Sequence, residues 1–526
     1  MEFLSSPGGI IALSIYFMII ILIGVKYSKK AKTTNDYIIA DRGLTTPFVT
    51  ASVTATWIGG AVILGGASEA FRGGFQAIVW DPWSPVLTLM ISGFFLVRVF
   101  RKSKFLTIVD YYNSRFNKKI GAFGIVINTL ALVSWLSAQL LSLGVVLSMI
   151  TGFSLLAGTI IGAVVILIIS LVGGLWALSR SDMLAFIIIG LSMLIMVPYA
   201  FSAVGGVKEF IANAGTFDGN PPFALFYSIN LNEAGDVFGF DGYTGALGIL
   251  YMLAAWFSVA LGDAGGPVLT ARALAAKSER TATKGFIYGG LFYLVLGMIP
   301  VIIGMCVFIL NPGFPEGEWD NILPWFIANY VPGWLRIMFL VALASAIVST
   351  AGDTILSTGA MLGNTGQQMI NPKATDKNRL LGTRICMVIL TIIALIFGLV
   401  LGNLYNLLVF AGALGFPTMA AVYICGIVWK KTNNSGAYAS MSSGVISWII
   451  GVFIFLPSVE GDVWEAIYMA CVPAFLVSLT ALIVVSNLTQ KKDPANPIRD
   501  IDGNDISDTK LFVWGKKKDA AEVASR

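Results

Sequence analysis

The sequence predicts an all-α polytopic membrane protein of about thirteen transmembrane helices. Three observations predict it. Of 526 residues, 56% are hydrophobic and only 12% are charged, about half the charged share of a soluble domain; mean hydropathy is +0.82. Apolar runs of about 20 residues, each able to cross a hydrocarbon core of roughly 30 Å, recur from end to end. Of the 34 Lys and Arg residues, all but Arg72, Lys208 and Arg336 fall in alternate connectors or in the tail, as the positive-inside rule requires.

Spans are expected near 8–27, 44–70, 75–99, 120–150, 154–178, 182–204, 242–263, 283–311, 333–362, 380–401, 404–428, 438–456 and 464–486. No basic residue precedes the first run and no small-residue cleavage site follows it. Lys26, Lys29, Lys30 and Lys32 come after it, so helix 1 reads as retained, with its N-terminus outside and the C-terminus cytoplasmic. The expected location is the plasma or inner membrane, with the lipid bilayer as a partner. The segment 205–241 is Gly/Asn/Pro-rich and reads as an extracellular loop holding a small surface helix. The tail 487–526, with Lys491, Lys492, Lys516, Lys517 and Lys518, reads as a solvated extension.

Helix 2 carries Gly59–Gly60 and Gly65–Gly66. Helix 7 runs into Gly262, Gly265, Gly266 and Pro267. Glycine loosens the helical ladder and proline removes a donor, so both segments are prone to unwind. Small residues at helical spacing also permit tight packing, but the two breaks lie five helices apart. Five is odd, so 44–204 and 242–428 would be five-helix repeats of opposite orientation, each opening with a broken helix that lines a site. Residues 1–43 then precede the core, and 429–486 form two peripheral helices.

Helix 9 places Ala346, Ser349, Thr350 and Asp353 at i, i+3, i+4 and i+7, on one face. Neutral hydroxyls and freed carbonyls suit a hard monovalent cation, although membrane Ser and Thr also bond back to their own helix. Asp353 inside a span is costly and points to function. Asp182 opens helix 6, where a favourable helix-terminal charge explains it equally well. Asp263 lies in the helix 7 break and reads as a cap, and Glu69 reads as solvated. Asp81 sits between Trp80 and Trp83 early in helix 3. It joins a carboxylate to aromatic faces that suit an amine, against the plainer reading of an interfacial belt.

Other classes are disfavoured. There is no histidine, which removes His-ligated zinc, Ser-His triads and His proton shuttles. Cys306, Cys386, Cys425 and Cys471 lie in apolar runs without CxxC spacing and read as buried hydrophobes. An enzyme and a nucleic-acid partner are not expected. Nothing in the sequence sets the oligomeric state.

These residues resemble the sodium/solute symporter family over about 8–485, nearest to its high-affinity choline transporter branch. Thr54-Ala55-Thr56-Trp57-Ile58-Gly59-Gly60 followed by Ala67-Ser68-Glu69-Ala70, Gly173-Gly174-Leu175-Trp176 with Ser181-Asp182, Arg272-Ala273-Leu274-Ala275-Ala276-Lys277, and Ala346 to Ser357 carry the likeness. The resemblance implies a leucine-transporter-like five-plus-five fold. It implies a sodium ion held by the carbonyls of Ala51, Thr54 and Ala346 and the hydroxyls of Ser349 and Thr350. Some relatives hold a second sodium through the aspartate matching Asp182 and two hydroxyls further along helix 9. Here Gly352 and Asp353 stand in those places, so Asp182 with Asp353 is the candidate second cation site. Choline-type members enclose ammonium in aromatic rings. Trp57 and Trp135 match two positions, Gly266 and Pro85 replace two others, and Trp80, Trp83 or Trp256 would have to substitute. The expected function is sodium-coupled import of a small organic solute, with an amine as the candidate, by alternating access. The alternatives are an uncoupled facilitator or channel and a membrane-embedded sensor, for which a 40-residue tail leaves little room.

Overall fold

A computed structural model describes residues 7–215, 222–223, 230–232, 235–237, 239–240, 243–315, 318–401 and 404–513. Among these, eleven helices are long and apolar enough to span a membrane, or twelve if the bent pair Thr46–Trp57 and Val62–Ala77 is one span. One of the eleven, Leu155–Ala203, has 49 residues and would measure about 74 Å as one rod, more than two bilayer cores. It is interrupted at Gly174, with φ 54° and ψ −153°. Counting its arms separately gives thirteen.

We label them α1 (Pro7–Ser28), α2a (Thr46–Trp57), α2b (Gly66–Ala77), α3 (Val79–Ser103), α4 (Lys118–Thr151), α5 and α6 (155–173 and 175–203), α7a (Gly245–Gly262), α7b (Pro267–Ala275), α8 (Glu279–Leu310), α9 (Gly333–Ile370), α10 (Asp376–Leu401), α11 (Phe410–Val428), α12 (Asn434–Val459) and α13 (Val463–Thr489). Most expected spans agree with these to within about five residues; helices 2 and 9 run on to Ala77 and Ile370, past the expected 70 and 362, and one boundary moves altogether. The boundary between helices 5 and 6 is at Gly174, not across 179–181. Only glycine fits there: the φ is left-handed, and a Cβ would lie 2.4 Å from the Tyr37 carbonyl oxygen. The polar run Arg180-Ser181-Asp182 therefore lies inside α6.

Both expected breaks are present. The two halves of α2 meet at 66°, with α2a ending at Trp57 and Ile58 as its C-cap. Helix α7a ends at Gly262, and α7b starts at Pro267 with Gly266 as N-cap. Asp263 marks the end of α7a, and its backbone carbonyl, not its carboxylate, accepts the Gly266 N–H at 2.8 Å. Helix α8 backs the broken α2. At Gly304 a Cβ would stand 2.1 Å from the Ala67 carbonyl oxygen, so only glycine lets α2b seat there. The start of α2a and the end of α7b are joined by Leu44 N–H donating to Ala275 O at 3.1 Å and Lys277 N–H to Leu44 O at 2.8 Å. Helices α12 and α13 pack along one another at the edge. In the long connector, the expected surface helix is Val207–Asn213, and Asn230–Asn232 pairs antiparallel with Gly235–Val237. The rest of 205–241 lies partly outside the described residues.

The tail is not a solvated extension as far as residue 513. Ile501 N–H donates to Ser103 O at 2.9 Å, Arg115 Nη1 donates to Asn496 O at 2.5 Å, and Ile498 and Ile506 are buried. Phe512 rests on Phe94 with ring centroids 4.9 Å apart. Lys516, Lys517 and Lys518 lie outside the described residues. Asp493 accepts from Ser435 N–H at 2.6 Å, Ser435 Oγ at 2.8 Å and Asn434 Nδ2 at 3.0 Å at the start of α12. Burial opposes its ionisation, but these hydrogen bonds outweigh burial and hold it below the usual carboxylate range. A depressed folded pKa stabilises above the unfolded value, and the gain is lost as pH falls through the folded one. Asp493→Ala is therefore expected to cost about 1 kcal/mol at neutral pH, measured by thermal unfolding in detergent. The gap should be constant from pH 8 to 5 and close in stronger acid. A gap that widens on acidification would contradict this.

Candidate cation and solute site

Helix α2a ends at the break and presents two rows of hydroxyls. Thr50 and Thr54 share one row, and the Thr54 hydroxyl is spent on the carbonyls of Thr50 (2.8 Å) and Gly289 (3.2 Å). Ser52 and Thr56, also four apart, face the other way, into a buried polar cluster. Its charged members are Asp182 of α6, Arg272 of α7b and Asp353 of α9, all 0% exposed.

Asp182 receives the Ser349 hydroxyl at 2.6 Å on one carboxylate oxygen and the Ser52 hydroxyl on the other. Asp353 receives the Thr56 hydroxyl at 2.5 Å and pairs with the Arg272 guanidinium. The same Arg272 nitrogen lies 3.9 Å from Asp182, and Arg272 Nε donates to Ser52 Oγ at 3.2 Å. Thr350 Oγ1 donates to Thr56 O at 2.8 Å and Ala346 O at 3.0 Å. Four elements thus meet at the break: α2a, α6, α7b and α9.

Among the expected residues, Ser349, Thr350, Asp182 and Asp353 come together, and Ala51, Thr54 and Ala346 lie on the adjoining turns. Asp182 does not open its helix. It lies two turns past Gly174 and is fully buried, so a helix-terminal charge does not explain it. Ser52, Thr56 and Arg272 belong to the cluster but are not among the site residues expected from the sequence. Ser52 and Thr56 had a signal in their four-residue spacing, whereas Arg272 was counted with the loop charges.

The solute residues separate into two groups. Trp57 and Trp135 face each other at the break, ring centroids 6.2 Å apart and tilted by 53°. One turn along α4, Gln139 is buried, and its Oε1 has no hydrogen-bond partner among the described residues; it lies 3.1 Å from where a Cβ on Gly59 would stand. The second group does not converge on one point. Asp81 accepts from Tyr293 OH at 2.5 Å, Trp80 stacks on Tyr468 of α13 at 5.6 Å, and Trp83 meets the Phe75 edge at 6.5 Å. The carboxylate and the two flanking rings diverge to different neighbours. Ser84 ties this turn to α7a, donating to Trp256 O at 3.0 Å and accepting from Ala260 N–H at 3.1 Å. Glu69 is paired with Arg72 at 2.7 Å. The four cysteines are free.

A family model described as "Sodium:solute symporter family" matches residues 37–444. The chain belongs to that family. Curated relatives of this symporter include the high-affinity choline transporter 1 of Caenorhabditis elegans, 23% identical over 84% of this chain and 77% of the relative. The human high affinity choline transporter 1 is 25% identical over 84% and 76%. The sodium/glucose cotransporter of Vibrio parahaemolyticus is 25% identical over 96% and 93%. Among solved structures, a Na+-coupled sialic acid symporter matches with TM-score 0.74 and 17% identity, over 92% of this chain and 98% of that one. Mhp1, a nucleobase-cation-symport-1 family transporter, matches with TM-score 0.56 and 13% identity, over 86% and 94%. The fold is therefore leucine-transporter-like, and the protein is a multi-pass membrane symporter that couples a small solute to sodium.

Proposed function

We propose that one sodium ion binds where α2a meets α9, held by the carbonyls of Ala51, Thr54 and Ala346 and the hydroxyls of Ser349 and Thr350. One observation carries this reading. Both hydroxyls donate their protons elsewhere, Ser349 to Asp182 and Thr350 to carbonyls, so their lone pairs are left for a cation. The surrounding cluster also carries one net negative charge, from Asp182, Asp353 and Arg272, and a buried unbalanced charge favours a counter-ion. Ser349→Ala and Thr350→Ala are each expected to raise the sodium concentration for half-maximal uptake about tenfold, one ligand's worth of 1.4 kcal/mol. Unchanged sodium dependence in both variants would remove the site.

The solute is proposed to lie against Trp57 and Trp135 beside the α2 break, with Gln139 as a polar neighbour. The choline transporters among the relatives and the paired indoles support a quaternary or protonated amine. Asp81 and Trp256 are proposed as further solute residues; Ser84, three residues after Asp81, donates to the Trp256 carbonyl. A desolvated cation–π contact contributes roughly 2 kcal/mol, so Trp57→Ala should raise the half-saturating concentration of an amine such as choline about thirtyfold. Its sodium dependence should change far less. Transport confined to anionic or neutral solutes would refute the amine.

In this reading sodium binding orders the α2 break, and the repeats 44–204 and 242–428 rock around it, with 205–241 outside and 429–486 peripheral. Apolar side chains exposed on α1, α10 and α12, such as Leu22, Ile396 and Phe453, contact the bilayer. The N-terminus is placed outside and the tail 487–526 in the cytoplasm. Each inward sodium contributes about 2.3 kcal/mol per 100 mV.

A further inference from the structure

We propose that Arg272 is a tethered cation standing in the second cation position, between Asp182 and Asp353, and that it limits this carrier to one sodium ion. The inference deepens the sodium-site reading above and rests on it.

Asp182 and Asp353 are the two buried carboxylates that would have to hold a second ion, and both are 0% exposed. What lies between them is the Arg272 guanidinium, itself 0% exposed, paired with Asp353 and 3.9 Å from Asp182. Arg272 is fixed from its own side as well: Nε donates to Ser52 Oγ at 3.2 Å and Nη1 to Val268 O at 3.5 Å. A planar fork held at several points is a poor candidate for displacement by a hydrated monovalent ion.

Charge leads to the same place. Two carboxylates and one guanidinium leave one net negative charge in a water-poor interior. One sodium neutralises it. A second would leave the cluster net positive, and an uncompensated buried charge costs several kcal/mol. The residue after Gly352 is also relevant. A serine or threonine at 353 would give neutral ligands, but Asp353 instead supplies the counter-charge that a fixed arginine needs. Its other oxygen, Oδ1, accepts no hydrogen bond among the described residues. That oxygen, with Asp182 and Ser52 Oγ, is what a sodium would find if the guanidinium were absent.

The test counts ions and needs no knowledge of the solute. Purified protein in detergent is equilibrated with 22Na+ under saturating conditions, and bound sodium is measured per chain. Wild type and Arg272→Lys, which keeps a tethered charge, should each bind one. Arg272→Gln should bind two, with its thermal midpoint rising more steeply with sodium than that of wild type and not rising with potassium. Two ions bound to wild type or to Arg272→Lys would overturn the proposal. So would a folded Arg272→Gln that still binds one. If Arg272→Gln does not fold, the counts for wild type and Arg272→Lys still decide. No sodium bound by wild type would instead remove the sodium site itself.

Discussion

Asp182→Asn is expected to raise the half-saturating sodium concentration about a hundredfold, or to end sodium-dependent uptake at accessible concentrations. Two losses combine. The cluster goes from one net negative charge to none. A unit charge on the order of 6 Å from the ion, at an effective dielectric of about 20, contributes about 3 kcal/mol, or roughly a hundredfold in affinity. Asp182 also takes the protons of Ser52 and Ser349, and an amide keeps one acceptor oxygen but puts an NH2 donor where the other hydroxyl needs an acceptor. The effect should fall on sodium affinity more than on folding, because Asn fills the same volume. Measuring uptake against sodium concentration in proteoliposomes checks it. A variant with wild-type sodium affinity would mean that the carboxylate holds the helices together and nothing more.

Arg272→Ala is expected to be the most destabilising single substitution in the cluster. Removing one partner of a buried ion pair leaves an uncompensated charge and costs about 3–5 kcal/mol; here two carboxylates are exposed to each other. A second change that removes one of those charges, Asp353→Asn, should recover part of the loss. The double variant is therefore expected to unfold later than Arg272→Ala alone. Thermal unfolding followed by tryptophan fluorescence in detergent reads this. Strictly additive losses would mean that Arg272 and Asp353 are not coupled.

The residues that announced themselves in the sequence are those whose backbone chemistry is local. Gly59–Gly60 and Gly265-Gly266-Pro267 weaken a helix wherever they occur, and both breaks are where those residues stand. The face shared by Ser349, Thr350 and Asp353 follows from helical spacing alone, and it meets α2a as expected. What was not legible depends on partners far along the chain. Arg272 is a basic residue near a helix end, indistinguishable by composition from a loop charge until Asp353 is placed beside it. Arg180 and Ser181 read as a connector, with Asp182 opening the next helix, because three polar residues interrupt an apolar run. The structure absorbs them instead. Arg180 lies over the rings of Tyr27, Phe48 and Trp176 at 4.5–4.9 Å, Asp182 enters the cluster, and the reversal falls to Gly174. The tail docks through contacts with residues far back along the chain, such as Ile501 N–H to Ser103 O and Phe512 on Phe94, which leave no local pattern in a polar, lysine-containing segment. The surroundings of Asp81 were not legible for a different reason. Its neighbours in sequence, Trp80 and Trp83, are not its neighbours in space, because the turn sends each to a separate helix.

In the proposed mechanism, sodium bound between α2a and α9 drives solute entry. The most direct measurement is uptake of radiolabelled amines, with choline and betaine among them, into proteoliposomes under an inward gradient of sodium, set against the same gradient of potassium. The account predicts accumulation above equilibrium with sodium only, saturating with a Hill coefficient near one and lost when the gradient is dissipated. Uptake that is equal in sodium and potassium, or that only equilibrates under a sodium gradient, would contradict it.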